Sequence, residues 1–123
     1  MEYLFIVDDS PIFIERLLGM LEGMLPPDRI SHAGTYAEAL DRIAGHPPDI
    51  LLLDVNLPDK SGIELLRVVR ARYPAIVVIM ISNQSTDSYR TVCARLGATA
   101  FLDKSAEFER IPALIAAILD PNL

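Results

Sequence analysis

Ile50-Leu51-Leu52-Leu53 runs without a polar break into Asp54, and Val55-Asn56-Leu57-Pro58 follows. A strand with one face in water alternates apolar and polar side chains. A strand with no alternation is buried on both faces, as central strands are in a parallel sheet covered by helices. This run therefore demands neighbours, with further strands beside it and helices above and below. Asp54 would stand at the C-terminal end of the strand, on the edge where open α/β sheets bind ligands. A carboxylate there can ligate a metal, act as a nucleophile or cap a helix. Asp54 alone does not choose among these roles.

The rest of the chain supplies the neighbours. Tyr3-Leu4-Phe5-Ile6-Val7 is an apolar run ended by Asp8-Asp9. Ser10-Pro11 then opens a helix, with Ser10 as N-cap and Pro11 at the first helical position. Ile12, Ile14, Leu17, Leu18, Leu21 and Leu25 carry that helix on to Pro26-Pro27. Arg29-Ile30-Ser31-His32-Ala33 is a weaker strand, placed at an edge. Thr35 and Glu38 read as a capping box for a second helix through Ala44, and Gly45-His46-Pro47-Pro48 is a turn. Ser61-Gly62 leads into a third helix over 63–70, stopped before Pro74. Ile76-Val77-Val78-Ile79-Met80-Ile81 is a β-branched run that Ser82 ends. A fourth helix spans 86–96 with Gly97 as its stop. Its Cys93 reads as filling a helix face, and the face of Tyr89, Val92 and Cys93 reads equally as a surface for a partner or dimer and as half core. Thr99-Ala100-Phe101-Leu102 is a short fifth strand followed by Asp103-Lys104. The last helix carries Ile111, Leu114, Ile115, Ile118 and Leu119, with Pro112 in its first turn and Asp120-Pro121 at its close. Five alternating units predict one α/β domain over 1–123. Its sheet is doubly wound and flavodoxin-like, five parallel strands in the order 2-1-3-4-5 with right-handed crossovers through five helices.

Composition narrows the function classes. A chain of 123 residues has room for one core. Its 51% hydrophobic content argues against disorder. A formal net charge of −6, with no basic cluster, argues against direct nucleic-acid binding. No apolar run approaches a membrane span, and Met1-Glu2-Tyr3 lacks the basic start of a signal peptide. The single cysteine excludes an internal disulfide and fits a reducing cytoplasm. His32 and His46 read as solvent-facing.

In a parallel sheet all C-terminal strand ends share one rim. The residues that end the apolar runs are Asp8 and Asp9, Asp54, Ser82 and Lys104. In the order 2-1-3-4-5 these four strands are neighbours, roughly 4.8 Å apart. Three carboxylates, a hydroxyl and an ammonium thus converge. Each pair of carboxylates a few ångströms apart costs on the order of a few kcal/mol, so a proton or a cation belongs among them. Oxygen ligands on an open rim favour a hard cation such as Mg²⁺, with Mn²⁺ as an alternative. Lys104 adds a second positive charge and Ser82 a donor. Two cationic poles around a central carboxylate suit an incoming phosphoryl group, with Asp54 as the nucleophile.

This pattern resembles the receiver domain of two-component response regulators, bacterial signalling phosphoproteins with a CheY-like fold, over essentially the whole chain. The matching pieces are Val7-Asp8-Asp9-Ser10, Leu53-Asp54-Val55-Asn56-Leu57-Pro58 with Gly62, Ile81-Ser82, and Gly97-Ala98 through Phe101-Leu102-Asp103-Lys104. The resemblance implies that Asp54 takes a phosphoryl group from a phosphohistidine of a sensor histidine kinase or phosphotransfer protein. It implies Mg²⁺ held by Asp9, Asp54 and the Asn56 backbone carbonyl, with Asp8 acting through water. Ser82 and Lys104 would bind phosphoryl oxygens, and Phe101 would be the aromatic that turns inward as Ser82 moves. The face of the fourth helix, fifth strand and fifth helix would carry the output to an effector protein or a homodimer. Catalysis would be limited to the chain's own phosphotransfer and dephosphorylation.

Three positions depart from the family pattern. Ser105 stands where a proline, usually after a cis bond, follows the lysine, although some receivers carry Lys-Ser. Asn83 replaces a smaller residue after Ser82, and Phe101 lacks the hydroxyl of the commoner tyrosine. Other readings compete with a stand-alone switch. One is the N-terminal receiver fragment of a DNA-binding transcription regulator. The chain ends at Pro121-Asn122-Leu123 without a basic or flexible linker stub, which favours the stand-alone domain. Another is a Mg²⁺-dependent phosphohydrolase, but such enzymes need two acids two residues apart, and Asp8 and Asp9 are adjacent. The last is a binding module that works without phosphorylation, against which the full acidic set argues.

Overall fold

The computed structural model describes residues 2–84 and 86–120. Pro121, expected at the close of the last helix, and the tail beyond it lie outside the described residues. Strands and helices alternate as β1 (Leu4–Val7), α1 (Pro11–Met20), β2 (Ile30–Ala33), α2 (Tyr36–Gly45), β3 (Ile50–Asp54), α3 (Gly62–Arg72), β4 (Val77–Ser82), α4 (Asp87–Arg95), β5 (Ala100–Asp103) and α5 (Arg110–Leu119). The strands form one parallel sheet in the order β2-β1-β3-β4-β5.

The two-residue alternation of a strand sorts the sheet's side chains between two cores. Phe5, Val7, Leu51, Leu53, Val78 and Met80 face Ile43, Leu65, Leu66, Val69 and Cys93, so α2, α3 and α4 cover that side. Leu4, Ile6, Ile50, Leu52, Ile79 and Ile81 face Phe13, Leu17, Ile111 and Ile115 of α1 and α5. Every residue of β3 is buried, as its unbroken apolar run requires. Cys93 fills the first core, while the neighbouring Val92 is 39% exposed.

Helix α1 is shorter than its apolar spacing predicts. It ends at Met20, where the Leu21 N–H closes on the Leu17 and Leu18 carbonyls. Gly23 then turns the chain at φ +83°. Leu25 packs against the second core from this turn, and Pro27–Arg29 forms one 3₁₀ turn leading into β2. Ile12 also leaves the expected stripe and is 72% exposed. At about 100° per residue it points away from Ile14, which shares its face with Leu17, Leu18 and Leu21.

Register brings the strand ends level. Val7 lies opposite Leu53, Asp54 opposite Ile81 and Ser82 opposite Asp103. The chain must then leave β3 sharply. Gly62 donates to the Val55 carbonyl at 2.7 Å. A β-carbon at Gly62 would sit 2.0 Å from the Asp54 carbonyl oxygen, so only glycine lets α3 start this close to the end of β3.

Candidate functional site

The residues that end β1, β3, β4 and β5 meet at one rim. Carboxylate oxygens of Asp8, Asp9 and Asp54 lie within 4.8 Å of one another. Asp8 and Asp54 are buried and Asp9 is exposed, so the cluster opens to solvent on the Asp9 side. Ser10 caps α1 by accepting from the Phe13 amide at 3.3 Å, which leaves the aspartates free of that task. Asp8 Oδ1 accepts from the Ser10 amide at 2.8 Å. Its Oδ2 is buried and has no aligned hydrogen-bond donor. What faces that oxygen is the Lys104 ammonium, 2.8 Å away.

Lys104 also reaches Asp54 Oδ2 at 3.2 Å. It does not stand apart from the acids as a second pole; it bridges two of them. Its ammonium also lies over the Phe13 ring, 4.7 Å from the centroid. The other Asp54 oxygen accepts from the Asn56 amide at 3.0 Å, so both oxygens are held and the carboxylate plane is fixed. Asn56 itself is exposed, just past the strand.

The electrostatics follow from burial. Loss of solvent raises the Asp54 carboxyl above its ordinary value. The Asn56 amide opposes this, the Asp8 charge adds to it and Lys104 opposes it, leaving a net rise. Burial pulls Lys104 down, but its close contact with the Asp8 carboxylate and the charge of Asp54 outweigh that and raise it. One ammonium paired with two of three clustered carboxylates leaves local negative charge uncompensated. An all-oxygen cluster of three carboxylates with an open Asp9 side fits a hard divalent cation.

Ser82 is buried at the end of β4, and its hydroxyl accepts from the Gln84 amide at 2.9 Å. The Ser82 carbonyl accepts from the Lys104 amide at 2.9 Å, which joins the two loops behind the acids. Ser105 and Asn83, the two departures beside the site, meet each other. The Ser105 hydroxyl donates to Asn83 Oδ1 at 3.1 Å. No cis peptide bond occurs among the described residues, so Lys104–Ser105 is trans.

Phe101 lies away from the acids, half-buried in β5 against the first core. The Arg90 guanidinium sits 5.0 Å over its ring and donates to its carbonyl at 3.0 Å. Arg90 also pairs with Glu107 at 2.9 Å. Glu107 in turn accepts from the Asp103 amide at 2.9 Å, and its carboxyl is lowered by that bond first and by Arg90 next. Arg90 thus straps α4 to β5 and the turn before α5 across the Phe101 ring. Asp103 Oδ1 accepts from the Ser105 and Ala106 amides.

Two features are not legible in local sequence. One is the direct Asp8–Lys104 contact. The other is Asp59, whose carboxylate accepts from the amides of Tyr36 and Ala37 at 2.8 and 3.0 Å. Those partners lie more than twenty positions upstream, and no local spacing encodes them.

The chain matches the model of the response regulator receiver domain over residues 4–116. It is 32% identical over 100 residues to the DNA-binding transcriptional activator DevR/DosR of Mycobacterium tuberculosis, covering 81% of this chain and 46% of that protein. It is 36% identical over 108 residues to the transcriptional regulatory protein MalR of Bacillus subtilis, covering 85% of this chain and 45% of that protein. The fold is similar to that of a response regulator receiver domain protein (CheY-like) from Methanospirillum hungatei. That match has a TM-score of 0.88 and 25% identity, over 98% of this chain and 95% of the other. This chain spans about half the length of these curated relatives.

Proposed function

This chain belongs to the response regulator receiver domain family, and from that premise we propose that it is a phosphorylation-dependent signalling switch with Asp54 as the phosphoacceptor. One observation carries the reading. Lys104 bridges Asp8 and Asp54, both buried, inside a three-carboxylate cluster that opens to solvent at Asp9. A structural ion pair needs one acid, whereas a phosphoryl acceptor needs an oriented carboxylate with positive charge around it.

The donor is a phosphohistidine of a sensor histidine kinase or a phosphotransfer protein. An Asp54 oxygen forms the new O–P bond as the N–P bond breaks, and the electron pair of that bond stays on the imidazole nitrogen. The Asn56 amide and Lys104 orient the carboxylate for attack. Lys104 then has transferred oxygens within reach of its charge, and the Ser82 hydroxyl can leave Gln84 to donate to another. Asp9, Asp54 and the Asn56 carbonyl would hold Mg²⁺ or Mn²⁺, with Asp8 joining through water. The cation, when bound, neutralises the carboxylates and the phosphoryl charge. Movement of Ser82 draws on the β4–α4 loop, and Phe101 turns inward from beneath Arg90. The α4-β5-α5 face is thereby altered for an effector or for a second copy of the chain. A reducing cytoplasm is the compartment this reading implies.

The relatives favour one second reading. Among them is a DNA-binding activator about twice the length matched here. The chain can equally serve as the receiver portion of such a regulator, passing its state to a DNA-binding part.

Beryllofluoride, a non-transferable phosphoryl mimic, tests the switch. Amide NMR spectra with Mg²⁺ and beryllofluoride should shift Ser82, Lys104 and Phe101 together. Without Mg²⁺ those signals should stay in place. Shifts confined to the carboxylate rim, with Phe101 unmoved, would contradict the switch.

A further inference from the structure

Resting on the cation site proposed above, we infer that Asp59 is a positioning residue for that site: its carboxylate staples the loop carrying Asn56 to the first turn of α2. The loop between β3 and α3 is fixed at both ends. Val55 donates to the Ile81 carbonyl at 3.0 Å and accepts from Gly62 at 2.7 Å. Among the described residues its middle reaches the fold through Leu57, half-buried against the core, and through Asp59 and Lys60. Asp59 uses both carboxylate oxygens, one on the Tyr36 amide and one on the Ala37 amide. Lys60 adds its ammonium 4.8 Å over the Tyr36 ring.

A helix cap alone does not account for this arrangement. Helix α2 already has its own N-cap, Thr35, which accepts from the Glu38 amide at 3.1 Å. The Tyr36 and Ala37 amides are two further orphan donors of the first turn, and the chain satisfies them from the phosphoacceptor loop. A two-point attachment stops the loop from pivoting. Pro58, next to Asp59, lines one side of a cavity of about 580 Å³ whose other walls include Asp8, Asp9, Pro11 and Gly34. Asp59 therefore ties together the two loops that flank Asp9. A loop set loose there would have to be ordered each time the Asn56 carbonyl took up a cation, and that ordering costs binding free energy.

Mg²⁺ titration calorimetry on the full chain tests the inference. Asp59→Ala should bind Mg²⁺ about tenfold more weakly than the wild type, because the freed loop must then be ordered on binding. Asp59→Asn keeps one acceptor oxygen and should fall between them, and it decides the matter if the alanine variant does not fold. Asp49→Ala is the control. Asp49 accepts from the Tyr3 amide at 2.8 Å, the same kind of bond at the opposite end of the sheet, and its loss should leave Mg²⁺ affinity unchanged. Wild-type affinity in both Asp59 variants would overturn the staple and leave the cation site standing. Equal weakening in Asp49→Ala would overturn it as a general effect of lost stability. A wild type that binds no Mg²⁺ would remove the cation site itself and the inference with it.

Discussion

Asp54 is a costly residue for the fold to keep. Burial raises its carboxyl, and the Asp8 charge adds to the rise. A carboxyl raised on folding binds more protons in the native state than in the unfolded one. Stability then falls as pH rises through the window from 3.8 up to the raised native value, and stays lower above it. Asp54→Asn should therefore melt higher than the wild type at neutral pH in chelator. The gap should close as pH falls through that window, and a melting series across pH checks this. Removing Lys104 has the opposite effect on stability from removing the Asp54 charge. Lys104→Met strands the buried Asp8 oxygen and should cost about 3 kcal/mol in urea unfolding. Added Mg²⁺ should recover part of that loss. The identity of the rim residues was legible in the sequence because each ends an apolar run. The Lys104 bridge was not, because strand order places residues on a rim but says nothing of side-chain reach.

Among the elements, the junction of β3 with α3 leaves the least room. Gly62→Ala would drive a methyl group into the Asp54 carbonyl and should cost about 3 kcal/mol, measured by urea unfolding. It should also lower phosphorylation, because relief of the clash displaces Asp54. The Arg90 strap is a different case. Arg90 and Glu107 are 37% and 20% exposed, so Arg90→Ala should cost no more than about 1 kcal/mol. Its effect belongs in the Phe101 ring signals rather than in the melting curve. Helix and strand positions were largely legible from period and punctuation. The end of α1 was not. Leu21 and Leu25 continue a helical spacing, yet Leu21 is buried and Leu25 half-buried from a turn that Gly23 permits. Apolar spacing records which side chains reach the core and leaves open the backbone that takes them there.

At the scale of the whole molecule, the alternation of five apolar runs with five helical patterns gave a parallel sheet, and the chain's length suggested the doubly wound order that the structure has. Parallel strands allow only right-handed crossovers through helices on both faces. The same topology gathers Asp8, Asp9, Asp54, Ser82 and Lys104 from four strands that share no local sequence. A ligand that binds only this assembled rim must stabilise the fold. Mg²⁺ at a hundred times its dissociation constant should add about 2.7 kcal/mol, seen as a rise in melting temperature that chelator reverses. The central claim, that Asp54 accepts a phosphoryl group, is tested most directly by weighing the intact protein after incubation with acetyl phosphate. The account predicts a mass gain of one phosphoryl group that requires Mg²⁺ and is absent in Asp54→Asn. A gain of the same size in Asp54→Asn, or none in the wild type with either acetyl phosphate or a phosphohistidine donor, would contradict it.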